Sequence, residues 1–272
     1  MLKTKYLLLC ASLLFTSTVF TACDDDDDSS SSTEKLLKSE TEIGSHYFNN
    51  GVLDTTKIDT IVYNFNYKEG KLIEINSNGV NGKQTIITYK GDSVIVKSTY
   101  ADDIIEEKSK IGNSGYIEWS ETKDNYGELS DTTLCSYNNG YLVKRIEKGN
   151  TDPCTAIYTY ESGNLITENY KWSDTEYENY SYYYTDNNTK TPITNRSNCR
   201  IDEDGLNPTG GLYGKPSTNL PVKYIEKDSY DEYTTYYTWT LDADGYPVKC
   251  IKKGYNKSNA LSVYEINTYT WK

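Results

Sequence analysis

The chain has 272 residues, with 28 Lys and Arg against 40 Asp and Glu and a net charge of −12. That balance argues against nucleic acid as a partner, because phosphate contacts need clustered basic side chains, and it gives the protein face no general attraction for anionic lipid. With 28 Tyr, one Met and 36% hydrophobic residues, the composition suits pleated, half-wet surfaces and not long apolar helices.

The chain opens MLKTKYLLLCASLLFTSTVFTAC. Lys3 and Lys5 precede an apolar run to about Phe20, and small residues then lead to Cys23. This is a secretory signal, too short and too soon followed by acid for a stable membrane span. Its ending, Phe20-Thr21-Ala22-Cys23, resembles a bacterial lipobox. The resemblance implies a signal peptide of residues 1–22, cleavage before Cys23, and lipidation at Cys23. In TACDDDDDSSSS (21–32), adjacent carboxylates repel one another and the serines add slack. Residues 23–39 therefore read as a lipidated cysteine plus an acidic, serine-rich tether. An acidic run directly after such a cysteine resembles the surface-export signal of Bacteroidetes lipoproteins. That resemblance implies an outer-membrane lipoprotein, held by its lipid anchor and facing out. The stretch TEKLLKS (33–39) is the one short helix candidate.

Residues 40–272 read as a single all-β domain. One pattern recurs: aromatic-x-aromatic, a polar turn with Gly, then an apolar pair. It appears in FNYKEGKLIEI (65–75), CSYNNGYLVKRI (135–146), YTYESGNLITEN (158–169) and TWTLDADGYPVKCI (238–251), with a looser copy in ITYKGDSVIVKS (87–98). Gly70, Gly140, Gly163 and Gly245 supply the positive φ of tight hairpin turns. Alternation puts Ile61, Tyr63, Phe65 and Tyr67 on one face, and Tyr237, Trp239 and Leu241 on one face. The expected fold is a single-layer antiparallel meander of a dozen or more strands, curled into an open, barrel-like sheet.

Four cysteines lie beyond the leader and anchor: Cys135, Cys154, Cys199 and Cys250. An even number outside the cytoplasm permits two disulfides among them, in three connectivities; four buried free thiols are the other reading. Their spacing lacks the close pairs of a zinc site. The single histidine, His46, precedes the first strong strand, and no Ser-His or Cys-His pair can be built without it. No catalytic residue is assigned. In IDEDGLNP (201–208) and LDADGYP (241–247), the first aspartate of a calcium loop is replaced by Arg200 and Thr240, so both read as turns. No metal ligand or cofactor is expected.

The stretch ENYKWSDTEYENYSYYYTD (168–186) places Tyr180, Tyr182 and Tyr184 on one face and Tyr183 on the other. Sheet-borne Tyr and Trp either fill a wet core or stack on sugar rings. Trp119, Trp172, Tyr182, Tyr184 and Trp239 are the candidate ligand contacts. The repeated hairpins loosely resemble the tyrosine-aspartate repeats of Rhs-type surface proteins. LYGKPSTNLPVKY (212–224) followed by YYTWTLDADGYPVK (236–249) resembles the C-terminal signature of a family of Bacteroidetes lipoproteins, a domain of unknown function with a porin-like fold. The resemblance covers about residues 40–272 and brings no catalytic residues. The expected function is a non-catalytic module at the cell surface, binding glycan or a surface protein. A carboxylate-dependent glycan hydrolase and a structural envelope protein are the alternatives. An exposed row of rings favours binding, two facing acids in a cleft favour hydrolysis, and wholly buried aromatics favour the structural role.

Overall fold

The computed structural model describes residues 34–272, apart from short stretches at 46–47, 50–51, 55, 80–81, 102, 124–127, 150–152, 186–190, 203–204 and 208–209. The strands are β1 Leu37–Ser45, β2 Phe48–Asn49, β3 Val52–Leu53, β4 Asp59–Lys68, β5 Lys71–Ser77, β6 Lys83–Lys90, β7 Ser93–Tyr100, β8 Asp103–Ile111, β9 Ile117–Lys123 and β10 Leu129–Asn138. They continue with β11 Tyr141–Gly149, β12 Cys154–Glu161, β13 Asn164–Lys171, β14 Tyr177–Tyr183, β15 Arg200–Asp202, β16 Gly205–Asn207, β17 Lys223–Asp228, β18 Glu232–Leu241, β19 Pro247–Asn256 and β20 Leu261–Trp271. A 3₁₀ turn at Gly210–Tyr213 is the one helical element among the described residues.

Sixteen of these strands form one closed antiparallel barrel, with β2–β3 and β15–β16 as small separate hairpins. The expected sheet was open; the barrel is closed, and β1 closes it. Its residues 39–44 pair with β4 on one edge, while β20 pairs along the other. β1 takes in residues 37–39, where the short helix was expected. Leu37 is buried opposite Trp271, and strand pairing wins over the helical preference of a single turn.

The repeated hairpins lie where their turn chemistry placed them. Glu69-Gly70, Asn139-Gly140 and Ser162-Gly163 each have two successive positive φ values, the two-residue turn whose twist suits flanking strands. All these turns lie at one end of the barrel. The same end holds Gly245 and the start and finish of the barrel's strand order, where Leu36 and Lys272 exchange backbone hydrogen bonds of 2.9 and 3.0 Å.

Strand alternation divides the side chains. Inward positions carry Phe65, Leu72, Ile87, Val94, Leu142, Tyr158, Tyr182, Tyr237, Trp239 and Tyr269, all buried. Sixteen strands enclose more space than such side chains fill alone. In the connection between β14 and β17, the described residues 191–202 and 210–222 fold back as a strap into the mouth at the turn-rich end. Leu212 and Leu220 on it are fully buried. The Tyr213 hydroxyl donates to Glu107 Oε1 on β8 at 2.9 Å. The Lys215 and Thr218 amides donate to the turn carbonyls of Gly140 and Gly163. Trp239 Nε1 donates to the Pro221 carbonyl at 2.8 Å, so the two motif stretches 212–224 and 236–249 are packed against each other.

Candidate functional site

The aromatic residues singled out in the sequence are mostly structural. Trp239 is buried between the rings of Tyr237 and Tyr269, with centroids at 5.9 and 6.4 Å. Tyr182 is buried and donates to Glu168 Oε1 at 3.0 Å. The Tyr184 hydroxyl is engaged with the Leu165 carbonyl and the strap's Ser217. Trp239 belongs to an inner aromatic wall in which Tyr158, Tyr170, Tyr180, Tyr224, Tyr237, Trp239 and Tyr269 follow one another at 5.8–6.4 Å, and Tyr182 meets Tyr224 of that wall at 6.0 Å. Trp172 is half-buried at the opposite end, stacked on Tyr170. Trp119 is half-buried on the outer wall, in register between Lys110 and Leu134. Nothing in the structure gathers these five into one site.

Cys135, Cys154, Cys199 and Cys250 are free thiols. Burial pushes Cys135 and Cys154 up to about 11 and Cys199 up to about 12. Cys23 and His46 lie outside the described residues. In the 241–247 turn, Asp242 Oδ1 accepts the amides of Asp244 and Tyr246, and Lys35 pairs with both aspartates.

The barrel interior holds charged groups, each engaged. Glu168 accepts the hydroxyls of Tyr170 and Tyr182 and faces Arg200 at 3.4 Å. Glu107 accepts from Ser109 and Tyr213, and burial pushes its carboxyl above the usual range. Lys252 and Glu265 form a buried pair at 3.1 Å. Such groups stay inside because each is paired or hydrogen-bonded. Glu107 and Glu168 are both nearly inaccessible to solvent.

The outer wall carries a different arrangement. Tyr183 of β14 pairs with Lys223 of β17, Lys223 with Tyr236 of β18, Tyr236 with Lys253 of β19, and Lys253 with Tyr264 of β20. Directly opposed residues in an antiparallel sheet share a face, so these five form one row. Tyr183 and Tyr236 are 44% and 47% exposed. The Lys223 ammonium sits 5.0 Å from the Tyr183 ring centre and 5.7 Å from that of Tyr236. Lys253 lies 5.8 Å from the Tyr264 ring, and Tyr236 meets Tyr255 edge-on at 6.0 Å. A shallow groove beside the row is lined by Lys253, Tyr255, Leu261 and Tyr264. Neighbouring strands are ~4.8 Å apart, so alternate rings in the row stand roughly 10 Å apart. None of these residues was among the sequence candidates. Their signal was the alternation that set Tyr183 opposite in face to Tyr182, joined to a strand register that sequence spacing does not reveal.

No protein-family model and no curated protein sequence matches the chain. Solved structures do. A porin-like protein from Bacteroides uniformis superposes with a TM-score of 0.64 at 19% identity, over 87% of this chain and 98% of that one. A porin-like protein from Bacteroides vulgatus gives 0.55 at 17% identity, over 88% and 99%. The chain therefore has the porin-like barrel fold that its C-terminal motifs led one to expect.

Proposed function

We propose that this protein is a non-catalytic binding module of the bacterial envelope, tethered to the outer membrane through a lipid on Cys23 and facing out. The leader, Cys23 and the acidic run Asp24–Asp28 support the location. The outer wall supports a domain that stands in water. Its outward positions include Lys97, Glu106, Lys108 and Lys110, all exposed, where a lipid-spanning barrel needs an apolar band. The inner wall is taken up by core packing and by the strap.

The observation that carries binding is the exposed Tyr/Lys row on the outer wall. Rings with polar tips, held by neighbouring strands, offer apolar edges and hydrogen bonds to a ligand laid across them. The hydrolase reading would fall to the buried acids of the interior, Glu40, Glu107, Glu168 and Glu265; Glu107 and Glu168 already serve structural hydrogen bonds, and Glu265 is paired with Lys252. Purified residues 33–272 should be retarded in affinity electrophoresis by host or dietary polysaccharides while releasing no reducing ends. The Tyr236→Ala variant should lose that retardation without loss of fold. Release of reducing ends would replace this reading with hydrolysis. Binding that ignores Tyr236→Ala would move the site off this wall.

A further inference from the structure

We infer that the outer row recognises an acidic polysaccharide, one bearing carboxylate or sulfate groups along an extended chain; this rests on the binding reading above. The charge distribution on that wall points there. The chain as a whole carries a net charge of −12. Yet at outward positions of the strands that bear the row, lysines stand at 223, 227, 249 and 253, and Glu232 is the one carboxylate among the described residues. Glu232 sits at a strand end opposite Lys227. The acids of the same strands turn inward: Glu178 receives the Tyr180 hydroxyl, and Glu265 is paired with Lys252 inside the barrel. Sorting the acids to the inner face leaves a local basic field on an acidic protein.

The lysines are also held. Lys223 lies between two rings and Lys253 against a third, so part of the entropy a free lysine loses on binding is already spent. Alternation of ring and ammonium every strand gives one cation for each pair of rings. In an extended acidic pyranose chain, the acids of alternate rings fall roughly in step with the two lysines of the row, whether or not the rings between them are also charged. The Tyr hydroxyls, with Thr234 and Thr238 on neighbouring outward positions, suit the remaining sugar hydroxyls. A densely charged nucleic acid fits less well, because four lysines on a protein of this net charge supply few phosphate contacts.

The test uses residues 33–272 in affinity electrophoresis and calorimetry. The probes are polygalacturonate, its methyl-esterified form, chondroitin sulfate, neutral dextran and single-stranded DNA. Polygalacturonate or chondroitin sulfate should bind, with affinity falling as salt rises. Methyl esterification should weaken binding roughly tenfold or more, and Lys223→Gln/Lys253→Gln should do the same to the acidic polymer. Lys90→Gln/Lys97→Gln, on the far wall, should leave binding unchanged. Equal binding of the esterified or neutral polymers would overturn the acidic preference while keeping a glycan-binding module. DNA bound as tightly as the acidic glycans would overturn the assignment in favour of nucleic acid. Binding of an acidic glycan untouched by the double variant would overturn this location. Absence of binding to every probe would overturn both readings.

Discussion

Burial pushes the Glu107 carboxyl above its ordinary range, against the opposing pull of the Tyr213, Ser109 and Ser120 hydroxyls and the Arg145 guanidinium. The sign of the consequence follows from linkage. In the unfolded chain Glu107 ionises at its ordinary pKa, so its ionisation favours unfolding as pH rises from there to the raised folded value. Its contribution is present in full below the ordinary glutamate pKa and is lost above it. Urea midpoints measured from about pH 4 to pH 8 should show wild type losing stability relative to Glu107→Gln as pH rises above the ordinary glutamate value. A constant difference between the two proteins would contradict the assignment. At this scale the sequence was legible in kind but not in place. It announced that aromatics would alternate along the strands, and they do. It did not say which face would be inside, because both faces of β14 and β18 carry Tyr. Tyr182 and Trp239, chosen as ligand contacts, became core, and Tyr183 and Tyr236 became surface. The wall's curvature makes that choice, and no local pattern records it.

Among the elements, the strap depends on close backbone approach. Gly214 has φ +111°, and a Cβ there would stand 2.9 Å from the Gly140 carbonyl oxygen and 3.0 Å from the Leu142 nitrogen. Both are backbone atoms of a hairpin that cannot step aside. Gly214→Ala should therefore cost about 2–3 kcal/mol in chemical denaturation. The hairpins themselves were readable, since a two-residue turn needs Gly at a set position and the strands on either side alternate. β1 was not. Its sequence, LKSETEIGS, puts Glu40 and Glu42 on the inward face, opposite Tyr63 and Ile61, so it has no apolar stripe. Removing residues 33–45 should leave the edges of β4 and β20 bare, and size-exclusion chromatography should show the truncated chain associating where the full domain runs as a single species. The strap was equally hidden, because packing into a barrel mouth imposes no period on a connection.

At the scale of the molecule, closure and filling act together. A barrel has no free edges, and the strap with the inner tyrosines takes up the space that sixteen strands would otherwise leave. The thiols report on this. Cys154, Cys199 and Cys250 are buried and Cys135 is half-buried, all with raised pKa values. A thiol reagent near neutral pH should find none of the four quickly in native residues 33–272, and all four in strong denaturant. Fewer than four after unfolding without reductant would mean that disulfides form. The composition had bounded the class of fold correctly, since Tyr and Thr in abundance belong on sheets. Closure was beyond it, because the closing contact joins the first and last strands, with Leu37 opposite Trp271.

That seam has a mechanical meaning. Any pull on the residues preceding Leu37 enters the domain along the axis of β1, at the turn-rich end. β1 is gripped on both edges, by β4 and by β20, over most of its length. The load is then shared as shear by two ladders of hydrogen bonds at once, and no ladder is peeled one bond at a time. A domain pulled by such a strand resists unfolding better than one pulled by an edge strand.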